Sequence, residues 1–488
     1  MVNLINDKAL IKIASYINGA WVKGDSFFTV NSALIGKPGI AIAGVTDVET
    51  KLAVKSANDA LSLWSNQTAH ERSDILSKWY DLIIKAKDDL ALILTIEQGK
   101  PLSESHTEIS YGSSFIQWFS EEAKRVYGDI IPASHPNKTI LTLKQPVGVV
   151  SAITPWNFPH AMITRKVAAA LAAGCTIVVK PAAETPLSAL ALAELAHRAG
   201  IPKGVFNVVV GEDSEAIGKV LTQDERIAKF SFTGSTATGK KLIAQCASTV
   251  KKVSMELGGN APFIVFNDAN LAKAVDGAIK AKHRNSGQAC IAANRFYIQH
   301  EIYDEFLAKY IQNVKLLKQG SGFNLHTNVG PLISAAAVQK TQQLVQKAIA
   351  AGAQLVYQFD LSALPTECDA TKFYPISILT NVTTDMEIAQ TELFAPVSII
   401  IRFDEEADVI EQANNTPYGL ASYFYTQDIS RVWRVSKALQ YGMVGVNDWA
   451  ISNASAPFGG IKSSGNGREG SKYGLDDYLE IKYILLDS

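Results

Sequence analysis

The segment Ser286-Gly-Gln-Ala-Cys290 places one cysteine behind small residues and a glycine. Such a setting admits a substrate close to the sulfur and leaves backbone amides open, so Cys290 is a candidate nucleophile. The plain alternative is a buried structural thiol. In Met255-Glu256-Leu257-Gly258-Gly259-Asn260, 34 residues before Cys290, a lone acid stands among apolar residues and a glycine pair. A carboxylate in such company has a raised pKa and can act as a general base, whereas a solvated surface acid would do nothing. In Thr154-Pro-Trp-Asn-Phe-Pro159 two prolines fix the backbone around Trp156, Asn157 and Phe158. A rigid turn needs no more than that. Beside a thiolate, however, the Asn157 amide can donate to an oxyanion, a contact worth about 2.7 to 4 kcal/mol. The run Phe232-Thr-Gly-Ser-Thr-Ala-Thr-Gly-Lys240 is a glycine-rich turn between an expected strand and helix. It suits a pyrophosphate at a helix N-terminus, although its spacing departs from Gly-x-Gly-x-x-Gly.

The elements that would carry these residues alternate between helix and strand. Helical spacing runs from Leu76 to Leu94 and from Leu187 to Ala199, and short β-branched runs cover Thr176 to Val179, Val205 to Val210 and Ala261 to Phe266. With a helix near Ser214 to Leu221 and a strand at Lys229 to Thr233, the middle of the chain reads βαβαβ. Such strings wind parallel sheets and place ligands at the carboxyl ends of the strands. A second βα series starts at Ala261 and continues past residue 440. Asp129 to Val150 and Tyr478 to Leu486 alternate like exposed strands, and would pair with each other or with another subunit.

Composition narrows the function classes. The chain has 488 residues, 46 basic against 47 acidic for a net charge of -1, with 47% apolar and 19% charged residues. It is therefore a large globular protein with no net field toward nucleic acid or anionic membrane. The four cysteines lie at least 44 positions apart, which gives neither a disulfide framework nor a Cys-x-x-Cys pair, and fits a reducing compartment. No His-x3-His or His-Glu-x-x-His spacing occurs, so no metal is expected. Asp7, Lys8 and Lys12 interrupt the apolar start that a signal peptide needs, and the longest apolar run, Val167 to Val179, is too short to span a bilayer. A cytoplasmic protein without membrane contact is expected.

Three further segments, Val178-Val-Lys-Pro181, Glu392-Leu-Phe-Ala-Pro396 and Pro457-Phe-Gly-Gly-Ile-Lys-Ser-Ser-Gly465 followed by Gly467-Arg-Glu-Gly470, join those above. Together and in this order they resemble the aldehyde dehydrogenase superfamily over nearly the whole chain. The resemblance implies an α/β fold with a Rossmann-type cofactor domain (residues 1–126 and 148–258), an α/β catalytic domain (259–458) and a small β oligomerisation arm (127–147 and 471–488). It further implies a homodimer or homotetramer. Cys290 would attack the aldehyde carbon, Asn157 and the Cys290 amide would hold the oxyanion, and Glu256 would activate the water that hydrolyses the thioester. Lys166 would assist proton movement, a helix-surface lysine being the alternative. The cofactor would meet Thr154, Trp156, Lys180, Gly234, Ser235, the Leu257 backbone, Glu392 and Phe394.

NAD-preferring members of the superfamily carry a glutamate three residues after the lysine, where this chain has Ala183. Without that carboxylate Lys180 can pair with a 2′-phosphate, so NADP is expected ahead of NAD; Glu184, one residue on, faces away or restores NAD. Arg165 and Arg284 are expected at the mouth of the aldehyde tunnel. Two guanidiniums there call for a ligand anion unless each pairs with a neighbouring acid. With Ser452 they are similar to the carboxylate-binding set of the succinate-semialdehyde dehydrogenases, which implies an aldehyde with a distal carboxylate. Glutarate semialdehyde is the nearest rival substrate. A cofactor-independent cysteine hydrolase and a non-catalytic binding protein are the alternatives of other classes.

Overall fold

The computed structural model describes residues 2–31 and 39–487. Met1, residues 32–38 and Ser488 fall inside the expected domain spans and lie outside the described residues. An eight-stranded sheet has at its centre five parallel strands in the order Lys252–Glu256, Ile227–Thr233, Val149–Ile153, Thr176–Lys180 and Phe206–Val208. Antiparallel strands close both edges, Gly465–Asn466 on one side and Ser15–Ile17 with Ala20–Val22 on the other. Thr176–Lys180 is buried along its full length, as expected of a parallel strand covered on both faces. The alanine-rich helix Ala161–Ala173 is likewise wholly buried, and ends at Gly174 in the left-handed conformation, φ 94°. The apolar run Val167 to Val179 is this helix and the strand after it.

A seven-stranded sheet follows, in the order Gln354–Gln358, Ser377–Thr380, Val397–Phe403, Ala293–Gln299, Ala261–Val265, Ala421–Tyr425 and Met443–Val446. It is parallel except for Gln354–Gln358. Lys138–Pro146 and Leu479–Asp487 pair antiparallel with each other, from Lys138 opposite Asp487 to Pro146 opposite Leu479, and Ile130–Ile131 adds a third strand.

Three expectations need correction. The helix expected from Leu76 to Leu94 is two helices, Ala69–Lys85 and Lys87–Gln98, separated at Ala86. The apolar spacing continues across the break, but Asp88 and Asp89 favour a new helix start, and the Asp89 carboxylate accepts the N–H groups of Asn6 and Asp7. The strand expected over Val205 to Val210 is confined to Phe206–Val208, because Val210 turns its N–H to Ser15 Oγ. The exposed stretch expected from Asp129 to Val150 stops at Pro146, and Val149–Ile153 enters the middle of the eight-stranded sheet.

Candidate active site

Four adjacent parallel strands deliver site residues at their carboxyl ends in sheet order: Glu256, then Thr233 with Gly234, then Thr154, then Lys180. Three strand spacings of about 4.8 Å make this row roughly 14 Å long, enough for much of a dinucleotide. The Oγ1 atoms of Thr154 and Thr233 are buried with no hydrogen-bond partner among the described residues. Gly234 opens the Thr236–Cys246 helix, and exposed Ser235 caps it by accepting the Thr238 N–H. Orphaned hydroxyls beside a helix N-terminus fit a pyrophosphate and its ribose. Lys180 is 3% exposed, with only the Pro181 carbonyl at 3.4 Å. Burial lowers its pKa, and the charge of exposed Glu184 opposes that shift. Ala183 is half-buried on the same turn.

The partner wall comes from the second sheet. Glu392 accepts the Gly259 N–H at 2.9 Å, and burial pushes its carboxyl up to about 7. Phe394, held at φ 52°, meets Trp156 edge-on at 5.7 Å. The Leu257 N–H is taken by Ser464 O, leaving its carbonyl for a ligand. At Gly259 a Cβ would stand 2.5 Å from the Cys290 carbonyl oxygen, and at Gly459 one would stand 2.9 Å from Glu256 Oε1. Side chains there would collide with the two groups on which the chemistry depends.

Cys290 is half-buried and unpaired. Burial, with the charges of Glu392 and Glu256, pushes its thiol up to about 12, while Arg165 and Arg284 pull it down. A thiol so placed must give up its proton as it attacks. Glu256 is 3% exposed, and neither carboxylate oxygen has a partner among the described residues. Burial, then the neighbouring Glu469, drives its pKa well above the ordinary carboxyl value, with Lys166 and Arg165 partly offsetting. Glu469 moves the other way: although burial raises it, Lys166 and Arg165 together hold it below the ordinary value. Lys166 Nζ lies 2.5 Å from Glu469 Oε1 and 2.8 Å from Ser231 Oγ, and Arg165 Nη1 lies 3.0 Å from Glu469 Oε2. Two carboxyls whose surroundings push their pKa values apart are a means of moving protons. Asn157 donates Nδ2–H to the Gln288 carbonyl at 3.0 Å, two residues before Cys290, which places its amide beside the thiol loop.

The structure brings Cys290, Glu256 and Asn157 to one place, and treats the two arginines differently. Lys166 is fully buried, not a helix-surface residue. Arg165 is 1% exposed, packed against the faces of Phe115, Phe458 and Tyr111, and already paired with Glu469. It is therefore not a free cation at a mouth. Tyr111 OH bridges Arg165 to Ser452 Oγ. Arg284 lies over Phe158 at 5.1 Å and Trp449 at 5.9 Å, and among the described residues it makes no ion pair. These side chains line a cavity of about 340 Å³ together with Tyr111 and Glu104. Sequence reasoning assigned no role to Glu469 or Tyr111. Glu469 stood inside the quoted Gly467–Gly470 segment, whereas Tyr111 lies in the Leu102–Glu122 helix with no local signal.

The model of the aldehyde dehydrogenase family matches residues 21–484. The chain is 52% identical to the 3-sulfolactaldehyde dehydrogenase of Pseudomonas putida, over 99% of this chain and 98% of that one. It is 51% identical to the glutarate-semialdehyde dehydrogenase of Pseudomonas aeruginosa and 51% identical to the NADP(+) succinate-semialdehyde dehydrogenase GabD of Escherichia coli, each over 99% of both chains. The crystal structure of succinate-semialdehyde dehydrogenase from Burkholderia pseudomallei superimposes with a TM-score of 0.96 at 49% identity, covering 99% of this chain and 100% of that one. Motifs, sheet order, site geometry and whole-length similarity agree, and the chain belongs to the aldehyde dehydrogenase family.

Proposed function

We propose that this chain oxidises succinate semialdehyde to succinate with NAD(P)+, NADP+ preferred, through a thioester on Cys290. The observation that carries the substrate is Arg284, a cation without an ion pair among the described residues, in an aromatic-walled cavity beside the Asn157 turn. That cation is half-buried, and its partial desolvation favours a ligand anion meeting it. Glu104 lies nearby, but its carboxylate accepts the Asn285 N–H and burial raises its pKa, which weakens its competition for Arg284. Ser452, held by Tyr111, offers a hydroxyl to the same carboxylate, and Arg165 orients Tyr111 from behind.

The thiol proton passes to water as Cys290 Sγ bonds to the aldehyde carbon, and the oxyanion accepts hydrogen bonds from the Asn157 amide and the Cys290 N–H. Bound NAD(P)+ would supply a hydride acceptor for the aldehyde carbon. Glu256 then removes a proton from water as the water oxygen bonds to the thioester carbon, and the carbon–sulfur bond breaks to release the acid and return the thiol. Glu256 returns that proton to the departing sulfur, and the charges of Lys166 and Glu469, which act on Glu256, assist its movement. Thr154, Trp156, Lys180, Gly234, Ser235, Leu257, Glu392 and Phe394 would hold the dinucleotide. Ala183 and the weakly held Lys180 favour the 2′-phosphate, and Glu184 tempers that preference.

We carry the expected division into the same proposal: residues 1–126 and 148–258 bind cofactor, 259–458 hold the thiol, and 127–147 with 471–488 join subunits into a dimer or tetramer. Outward Ile481, Tyr483 and Leu485 support the last assignment. The four free cysteines suit a reducing compartment, and no helix among the described residues is long and apolar enough to cross a membrane. Glutarate semialdehyde is the second reading, favoured by the relative of that name. One methylene is worth about 1 to 3 kcal/mol, so the two differ in degree. Measured kcat/KM for both semialdehydes and for propanal, each with NAD+ and NADP+, tests the reading. It requires both anionic aldehydes to exceed propanal. Faster turnover of propanal sinks it, and hydrolysis of p-nitrophenyl acetate with no nicotinamide reduced by any of the aldehydes would identify a hydrolase.

A further inference from the structure

Asn157 sits in a frame of side chains from two distant parts of the chain. Lys100, 2% exposed, donates from Nζ to Glu108 Oε2 at 2.6 Å and to the Asn157 carbonyl at 2.7 Å, and lies 4.0 Å from the centre of the Phe158 ring. Asn285 Nδ2 donates to the same carbonyl at 2.8 Å and to the Gln288 carbonyl at 3.2 Å. The Gln288 carbonyl also receives Asn157 Nδ2. Gln98 Nε2 fixes Asn285 Oδ1 at 3.0 Å. The turn so held is strained, with Asn285 at φ 50° and Ser286 at φ 59°, conformations that persist only where the surroundings over-determine them.

We propose that Lys100, locked by Glu108, is a positioning residue that aims the Asn157 amide at the oxyanion; this rests on the role given to Asn157 above. With both lone pairs of its carbonyl engaged, the Asn157 peptide cannot rotate, and the direction of its side-chain amide follows. Lys100 has three N–H donors and the frame gives them three destinations: a carboxylate, a carbonyl and a ring face. An apolar side chain reaches none of them. The other oxygen of Glu108 accepts the N–H groups of His160 and Ala161 at 3.0 and 3.2 Å, where the helix bearing Arg165 and Lys166 begins. One buried ion pair thus ties the oxyanion donor to the helix that supplies the proton path. Oxyanion stabilisation depends on donors held within tenths of an ångström of their place, so a displaced Asn157 fails without being lost.

Two reactions of Cys290 separate positioning from folding. Acylation by p-nitrophenyl acetate forms an Sγ–C bond through a tetrahedral oxyanion, then expels p-nitrophenolate. Alkylation by iodoacetamide displaces iodide, with no oxyanion. Lys100→Met/Glu108→Gln removes both buried charges at once and keeps an acceptor for His160 and Ala161, so no lone charge is left to unfold the chain. We expect acylation to slow by at least about tenfold while alkylation stays within about twofold, and Lys100→Arg to retain acylation within about threefold. Both reactions slowing together would make Lys100 merely structural, and acylation unchanged would remove it from the oxyanion site; either overturns the proposal. Aldehyde oxidation by the parental chain is measured alongside. A parental chain that is acylated but oxidises no aldehyde sinks the dehydrogenase reading, while the ratio of the two rates still decides Lys100.

Discussion

Near Glu256 the protein buries Arg165, Lys166 and Glu469, hydrogen-bonded to one another, whereas along the arm it leaves Ile481 70%, Tyr483 60% and Leu485 50% exposed. Charged groups avoid interiors and large apolar groups avoid contiguous exposure, so each region departs from one half of the same rule. The departures have different costs. The buried cluster is compensated within one chain, two cations against Glu469, and its surplus carboxyl Glu256 remains without partners for the reaction. The arm is compensated only if a second copy covers it. Changes in the first region should therefore alter chemistry, and changes in the second should alter assembly.

The sharpest break in that contrast is Glu256→Gln, which removes the base and should lower aldehyde turnover by about a thousandfold, with the acylated enzyme accumulating in rapid-quench measurements. Arg284→Gln comes next. Losing a charged hydrogen bond of about 1.5 to 3 kcal/mol should raise KM for succinate semialdehyde roughly thirtyfold and leave propanal within about twofold. An equal rise for both aldehydes would take Arg284 out of the carboxylate site.

A smaller effect concerns pH and has opposite signs in activity and stability. Glu256 acts when ionised and its pKa is raised, so kcat should climb with pH above the ordinary carboxyl range, and Glu256→Gln should lose that limb. A raised folded-state pKa means that the native state holds the proton more tightly, so stability falls as pH rises from the unfolded value through the folded one. Glu256→Gln should therefore be more stable than the parent at alkaline pH, by about 1 kcal/mol or more in urea titrations, and less stable only if Gln clashes. The smallest effect on turnover belongs to the arm. Ile481→Lys/Tyr483→Lys should dissociate the oligomer in sedimentation velocity while kcat changes less than about threefold. A collapse of kcat would join the two regions that the comparison separates.

Much of this site was legible in the sequence because its residues sit in short runs with stereotyped backbone demands. A glycine pair after Glu256, prolines around Asn157 and a glycine-rich turn after a strand each announce a carboxyl-end loop, and each occupies one. What stayed hidden is what folding brings together from afar. Lys166 meets Glu469 from 303 positions away, and no local pattern could tell that Arg165 was already neutralised by the same carboxylate. The break at Ala86 was hidden for another reason: apolar spacing records burial, and the buried series Leu76, Trp79, Ile83, Leu90 and Leu94 keeps that spacing across the break. Lys100 and Glu108 lie eight positions apart across a helix start, where neither helical nor strand periodicity relates them.

The central claim is that the aldehyde carbon becomes bonded to one sulfur and is freed by one carboxylate. Peptide mass spectrometry of the Glu256→Gln protein, quenched after mixing with succinate semialdehyde and NADP+, tests it directly. The account predicts one succinyl group on the peptide containing Cys290 and none on those containing Cys175, Cys246 or Cys368, with no adduct when NADP+ is left out and the thiohemiacetal is reversed by the quench. An unmodified Cys290 peptide from protein that has produced reduced nicotinamide would contradict it.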